Sequence, residues 1–371
     1  MTAKPTEFRS GIYYVVLDGE TPRDRGLQHG VALEFPIRKA LRQFKNWIRT
    51  NAGLEDPGVV IGDFIDSSGS LGAVEASVPD LYEEMLGIAE GANVDPRDLF
   101  VYQSFDEFFM YLVESGTLDN SVSGHCTTAG VFGRPGTPNL VAHNNDIPTY
   151  HEELVTVLHI RYPDSDLEIL QSTFAGQIGQ NGVNNRGVGV GINTVADLPG
   201  GNGVPVSFHV RRILECSDRA EAIAYLQSAT FGQAMNYTIV DRTGGATVET
   251  WDSSAVVVDE SAKGHVVHTN HALGPDAPRT FVMTAETGGG SYGFTHERLD
   301  LADTTLDAES VDMDLDGFKK LFATRPILVY PGKPTGRTLM SMIAEIPESG
   351  SPTLHLTPDS PNLYRHVEFG F

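Results

Sequence analysis

The chain changes its periodicity near residue 120, and that change limits the folds open to it. Upstream, apolar residues recur every three or four positions. Phe35–Thr50 sets Ile37, Leu41, Phe44, Trp47 and Ile48 on one face of a helix. Leu81–Ala89 repeats the spacing, and Gly91 is a natural C-cap. Asp95-Pro96 opens a third helix, a side-chain cap followed by a first-turn proline, which the pattern carries through Phe109 and Leu112. Downstream come short runs separated by turn signals. Cys126–Phe132 and Leu140–Asn145 flank Gly133-Arg134-Pro135-Gly136-Thr137-Pro138, and Leu154–Tyr162 and Leu167–Thr173 flank Pro163-Asp164-Ser165-Asp166. A Gly-rich strand at Gly187–Asn193 and helices over 206–215 and 219–228 follow. Strands are then expected at Tyr237–Asp241, Ala246–Trp251, Ala255–Asp259 and His265–His271. Hairpins on both sides of a helical pair predict an α+β fold of four layers, αββα, with the helical N-terminal segment packed on it.

Composition removes several classes of function. The 371 residues are 40% apolar and 9% aromatic, ample for a packed core. A net charge of −23 with no offsetting basic cluster argues against nucleic-acid and anionic-membrane partners. Helix 35–50, though basic and aromatic, is therefore expected to pack within its own domain. Two cysteines cannot build a disulfide framework, which favours a reducing compartment. The N-terminus lacks a signal-type apolar core, and no apolar run approaches ~18 residues. A soluble, cytoplasmic protein is the expectation. Residues 286–292 read as a flexible loop, and Cys216 as an inert core thiol.

Cys126 stands in Ser123-Gly124-His125-Cys126-Thr127-Thr128-Ala129-Gly130, directly after a Gly/Ser break and at the start of the strand-rich region. If the preceding peptide bond is cut, the freed α-amine, with a pKa near about 8, serves as base to its own thiol. Four polar stretches lie at strand ends: Cys126-Thr127-Thr128, His143-Asn144-Asn145-Asp146, Gly191-Ile192-Asn193 and His268-Thr269-Asn270-His271. Acyl transfer needs a base, a group that holds the base and donors for the oxyanion. Asn amides donate without charge, and a carboxylate such as Asp146 can orient an ammonium. His143, Asp146, His268 and His271 are also acceptable metal ligands, but their spacing matches no zinc signature, and no metal or cofactor is expected.

Several motifs resemble the acyl-coenzyme A:6-aminopenicillanic acid acyltransferase family of self-processing cysteine peptidases, within the N-terminal-nucleophile hydrolases. They are Gly26-Leu27-Gln28-His29-Gly30, Glu84-Met85-Leu86-Gly87-Ile88-Ala89-Glu90-Gly91-Ala92 with Glu107 beyond it, Cys126-Thr127-Thr128, Asn144-Asn145-Asp146, Gly191-Ile192-Asn193 and Val267-His268-Thr269-Asn270-His271. The resemblance implies a precursor cut between His125 and Cys126. Residues 1–125 would form an α-chain and 126–371 a β-chain core, paired as a heterodimer and open to further oligomerisation. It makes Cys126 the nucleophile, Asp146 the holder of its amine, Asn193 and Asn270 the oxyanion donors, and Thr128 an aid to self-cleavage. Asn145, His271 and Arg337 are assigned to the substrate, a small-molecule or peptide-like amide. The residue before the nucleophile is His125, where the best-known member has Gly. Two alternatives stand beside amide hydrolysis: acyl transfer from a coenzyme A thioester, and a non-catalytic, uncleaved binding domain.

Overall fold

The computed structural model describes residues 6–118, 125–260, 262–280, 294–309, 312–330 and 336–371. The loop expected at 286–292, Ser123-Gly124 and the His125 side chain lie outside the described residues.

The N-terminal segment begins with strands β1 (Glu7–Arg9) and β2 (Ile12–Leu17). Seven helices follow: α1 (Pro22–Ala32), α2 (Glu34–Ala52), α3 (Pro57–Ser68), α4 (Ser70–Ser77), α5 (Pro79–Ala92), α6 (Pro96–Gln103) and α7 (Phe105–Glu114). The expected apolar face of α2 is buried, with Ile37 and Ile48 fully inaccessible. Gly91 does not cap α5; Asn93, in the left-handed region at φ 51°, does. Gly91 is instead spent on close packing. Helices α1 and α5 cross at Gly26 and Gly30 of one and Gly87 and Gly91 of the other. A methyl at Gly26 would sit 1.9 Å from the Glu84 carbonyl oxygen, and one at Gly87 2.3 Å from that of Arg23. Only hydrogen at these positions lets the two backbones meet, so both glycine motifs of the N-terminal half form one contact.

The third expected helix is two, broken at Ser104. The break frees the Gln103 carbonyl to accept Ser207 Oγ–H at 2.9 Å. It also sends the Gln103 side chain into the 174–182 loop, where its Oε1 accepts Ile178 N–H at 2.8 Å. In the same loop Gln177 Nε2 donates to the Tyr102 carbonyl at 2.9 Å, and Gly176 N–H to His29 Nε2 at 3.2 Å. A fully buried ion pair, Glu84 with Arg211 at 2.9 Å, adds a further tie between the halves.

The second half supplies β3 (His125–Val131), β4 (Asn139–Ile147), β5 (Val155–Arg161), β6 (Glu168–Phe174), β7 (Asn181–Asn184) and β8 (Gly189–Thr194). After α8 (Val206–Glu215) and α9 (Arg219–Gln227) come β9 (Met235–Val240), β10 (Gly245–Trp251), β11 (Ser254–Asp259) and β12 (His265–His268). The chain ends with α10 (Thr295–Glu309), α11 (Leu315–Phe322), β13 (Arg337–Ile346), β14 (Thr353–Leu356) and β15 (Val367–Gly370). A nine-stranded sheet runs β1-β2-β5-β6-β7-β8-β9-β10-β11, and a six-stranded sheet runs β12-β3-β4-β13-β14-β15. Strand β2 joins β5 in parallel, with Val15 opposite Leu158, so the first 125 residues contribute two strands besides their helices.

The sheets stack face to face through β3 and β4 on β8 and β9; α8 and α9 cover the nine-stranded sheet, and α10 and α11 the other. This is the expected αββα sandwich. Strand alternation sorts β3. Ala129 and Val131 join Phe318, Phe322 and Leu306 beneath the helices, whereas Cys126, Thr128 and Gly130 face the opposite sheet. Strand β12 stops at His268, three residues short of the expected end. Among the described residues, no helix is long and apolar enough to cross a membrane.

Candidate active site

The early end of β12 lets Thr269–His271 turn out of the sheet toward β3. Asn270 Oδ1 accepts the backbone N–H of Cys126 at 3.1 Å, and its Nδ2 donates to the Thr194 carbonyl at 3.0 Å. One proton of that amide NH2 is left for another acceptor. Asn270 is itself fixed through its backbone N–H to Thr295 Oγ1, 2.9 Å away at the start of α10.

Arg298, one helical turn further along α10, is fully buried and brings three contacts to the same point. Its Nη2 donates to Asn270 Oδ1 at 2.6 Å, and its Nη1 to Thr127 Oγ1 at 2.9 Å and to the Cys126 carbonyl. Sequence reasoning missed this residue. Helix α10 carries few apolar positions among its acidic residues, so Arg298 looks like a surface cation until tertiary packing draws it inside.

Antiparallel register sets Asp146 opposite His125 and Asn145 opposite Cys126. Asp146 therefore lies across from the residue preceding Cys126. Its Oδ1 accepts Thr338 Oγ1–H, and its Oδ2 is buried without a partner among the described residues. Burial pushes the Asp146 carboxyl up to about 8, against the lowering pull of Arg298 and Thr338. Cys126 keeps partial exposure, yet burial first and the Asp146 charge second raise its thiol pKa. A hydrogen bond from the Asp146 backbone works the other way. In the intact chain the thiol is thus held protonated.

Asn193 Oδ1 accepts Thr128 Oγ1–H at 2.7 Å and Asn236 Nδ2–H at 3.2 Å, and Asn193 Nδ2 is buried with no partner among the described residues. Thr128 also meets Thr238 Oγ1 at 2.7 Å. Asn145 is held by Asn181 at 2.8 Å and Gln180 at 3.3 Å. His271 Nδ1 pairs with Thr295 Oγ1 at 2.9 Å, and its ring lies 4.0 Å from that of His296. Burial lowers its pKa to about 3, so His271 is a neutral ring at physiological pH. Arg337 is not drawn to the cysteine: it pairs across the sheet with Ile147 and is ion-paired with Glu152 at 3.1 Å and with Asp359. Asp106, on α7, is a further acidic neighbour whose charge raises the thiol pKa; its Oδ1 accepts Thr194 Oγ1–H at 3.2 Å. Burial lifts Asp106 to about 7.

Of the described residues, His265, Asp303 and Asp307 form one group with metal-ligand atoms in reach of each other. Lys263 is ion-paired with both of these carboxylates, at 3.6 and 3.3 Å.

The thiol of Cys126 thus stands beside the Asn270 amide and opposite the Asn145–Asp146 strand end, on an αββα sandwich. Residues 133–306 match the model of the acyl-coenzyme A:6-aminopenicillanic acid acyl-transferase family. The chain is 29% identical over 270 residues to the 40 kDa form of acyl-coenzyme A:6-aminopenicillanic-acid acyltransferase from Emericella nidulans. That match covers 69% of this chain and 70% of the relative. Among solved structures, the Caenorhabditis elegans N-acylethanolamine-hydrolyzing acid amidase ortholog superposes with a TM-score of 0.44 at 14% identity, over 66% of this chain and all of that one. A variant of Clostridium perfringens conjugated bile acid hydrolase gives a TM-score of 0.43 at 14% identity, over 66% and 92% of the two chains.

Proposed function

We propose that the chain is a self-processing cysteine amidohydrolase. The observation that carries this reading is the convergence of Asn270 and Arg298 on the Cys126 backbone, with Asp146 across from His125. In processing, Cys126 Sγ attacks the His125 carbonyl carbon and passes its proton to the departing nitrogen. The C–N bond breaks, giving a thioester and a new α-amine on Cys126. Water hydrolyses the thioester, which ends residues 1–125 in a carboxylate and frees the thiol on residues 126–371. The two pieces stay together as an α/β pair.

In turnover the α-amine, ordinarily near about 8, takes the thiol proton and Asp146 holds the resulting ammonium. The thiolate adds to the substrate amide carbonyl, and the oxyanion is met by backbone N–H and the spare Asn193 and Asn270 amide protons. Thr128 keeps Asn193 turned so that its Nδ2 remains available. The ammonium then protonates the leaving amine, and water clears the acyl-Cys126 intermediate.

The test is the denatured mass of freshly purified protein beside that of Cys126→Ala. Two fragments meeting at His125/Cys126 in the wild type, and one 40.2 kDa chain in the variant, are expected. One 40.2 kDa species in both retires self-processing. The Emericella relative's name favours a second reading, transfer of the acyl group from a coenzyme A thioester to an amine. Thioester consumption that depends on added amine would select it over hydrolysis.

A further inference from the structure

A cavity of about 380 Å³ opens between α3, α4 and α7 on one side and the 199–203 and 232–233 loops on the other. The 199–203 loop is anchored rather than loose: Gly201 and Gly203 donate backbone hydrogen bonds to the Gly232 and Phe231 carbonyls at 3.2 and 3.1 Å. Two charged residues line the cavity, Glu107 and Glu114, and both are acidic. Glu107 is 5% exposed; its Oε1 accepts Val206 N–H at 2.9 Å, while its Oε2 is buried with no partner among the described residues. Gln233, 3% exposed, likewise leaves its Nε2 without an acceptor among those residues. Gly232 admits the Glu107 side chain, since a methyl there would stand 2.9 Å from Glu107 Cγ. Buried polar atoms without partners are rare in native proteins, and two on facing sides of one cavity call for a ligand with a donor and an acceptor.

The cavity is linked to the nucleophile by a short chain of contacts. Glu107 adjoins Asp106, which holds Thr194, whose carbonyl holds the Asn270 amide.

We propose that this cavity binds a short chain ending in a primary ammonium group with a carbonyl or hydroxyl oxygen nearby. Glu107 is the counter-ion and Gln233 donates to the oxygen. The site selects amides carrying such an amine and rejects anionic ones, including the phosphates of a coenzyme A donor. That the ligand belongs to the substrate rests on the amidohydrolase reading; the binding does not. Asp106 and Tyr237 lie close enough to Glu107 to feel its charge, Glu114 and Tyr111 line the same cavity, and burial with the Asp106 charge lifts the Glu107 carboxyl to about 8. Cation binding near neutral pH therefore expels a proton and tightens as pH rises from 6 to 9.

Calorimetric titration of the full chain with 3-aminopropan-1-ol, butan-1-ol and 3-hydroxypropanoate tests this. The ammonium probe is expected to bind at least about tenfold more tightly than the neutral one, with the anion weakest. Glu107→Gln should remove the preference. Should that variant fold poorly, the pH series on the wild type decides alone. Equal affinity for ammonium and neutral probes, tighter anion binding, or no pH dependence would overturn the proposal. Hydrolysis of 3-aminopropanoyl p-nitroanilide by wild type and Cys126→Ala, run in parallel, separates the two readings. Ammonium binding without Cys126-dependent turnover keeps the site and sinks the amidohydrolase.

Discussion

Arg298 does at the residue level what no neighbour can: one planar guanidinium ties the Cys126 carbonyl, the Thr127 hydroxyl and the Asn270 amide oxygen together. A lysine keeps the charge but loses the fork. Arg298→Lys is expected to slow appearance of the cleaved fragments by about tenfold or more, since one misplaced hydrogen bond to a charged donor is worth roughly 1.5–3 kcal/mol. A mass-spectrometric time course reads this directly, and an unchanged rate would remove Arg298 from the site. Asp146 offers a test of sign. Its carboxyl titrates at about 8 in the folded chain, far above its ordinary 3.8. The unfolded state therefore binds fewer protons between those values, and stability falls as pH rises from about 4 to about 8. In the uncleaved Cys126→Ala background, Asp146→Asn should flatten that fall in denaturant titrations, while in the wild-type background it should cost about 10² in amidase activity. Cys126, Asp146, Asn193 and Asn270 were legible as candidates because each sits in a short polar stretch at a strand end. Arg298 and Asp106 were not, because helices α10 and α7 bring them in from distant sequence with no local mark.

At the scale of elements, the α1–α5 crossing is the tightest device in the N-terminal half. Gly87→Ala should destabilise the protein by about 1–3 kcal/mol through overpacking against the Arg23 carbonyl, in spite of the gain in helix propensity. Gly72→Ala in α4 is the control. Nothing lies within 4 Å of the added methyl, so the same substitution should stabilise by about 0.5–1 kcal/mol. Melting both variants beside the wild type checks the pair, and a shift of the same sign in both would refute the packing argument. Elements with a one-sided apolar stripe, such as α2 and α8, could be read almost to their ends. Strand β13 (RTLMSMIAEI) could not: it is buried nearly throughout, so it shows no alternation. Strand β2 is six residues long, and its partner β5 lies well over a hundred residues away, beyond any local signal. Gly91 misled for a physical reason as well, since a glycine that ends a helix and one that packs it look alike in sequence.

On the scale of the whole molecule, the nine-stranded sheet is shared. Its first two strands come from ahead of Cys126 and its other seven from behind it. The two halves are further joined by the buried Glu84–Arg211 pair and by the Gln103 and Gln177 hydrogen bonds. Cutting the chain before Cys126 would remove one covalent bond and none of these contacts. It would, however, change the molecularity of unfolding. An intact chain melts at one temperature whatever its concentration, whereas two interleaved pieces separate when they melt, and mass action then favours the folded pair in concentrated solution. For a protein of this size a tenfold dilution should lower the melting temperature of the cleaved form by roughly 2 °C and leave that of Cys126→Ala unmoved. In a cleaved protein, a strand pairing set early in the chain would thus make heat resistance a function of how much of the protein is present.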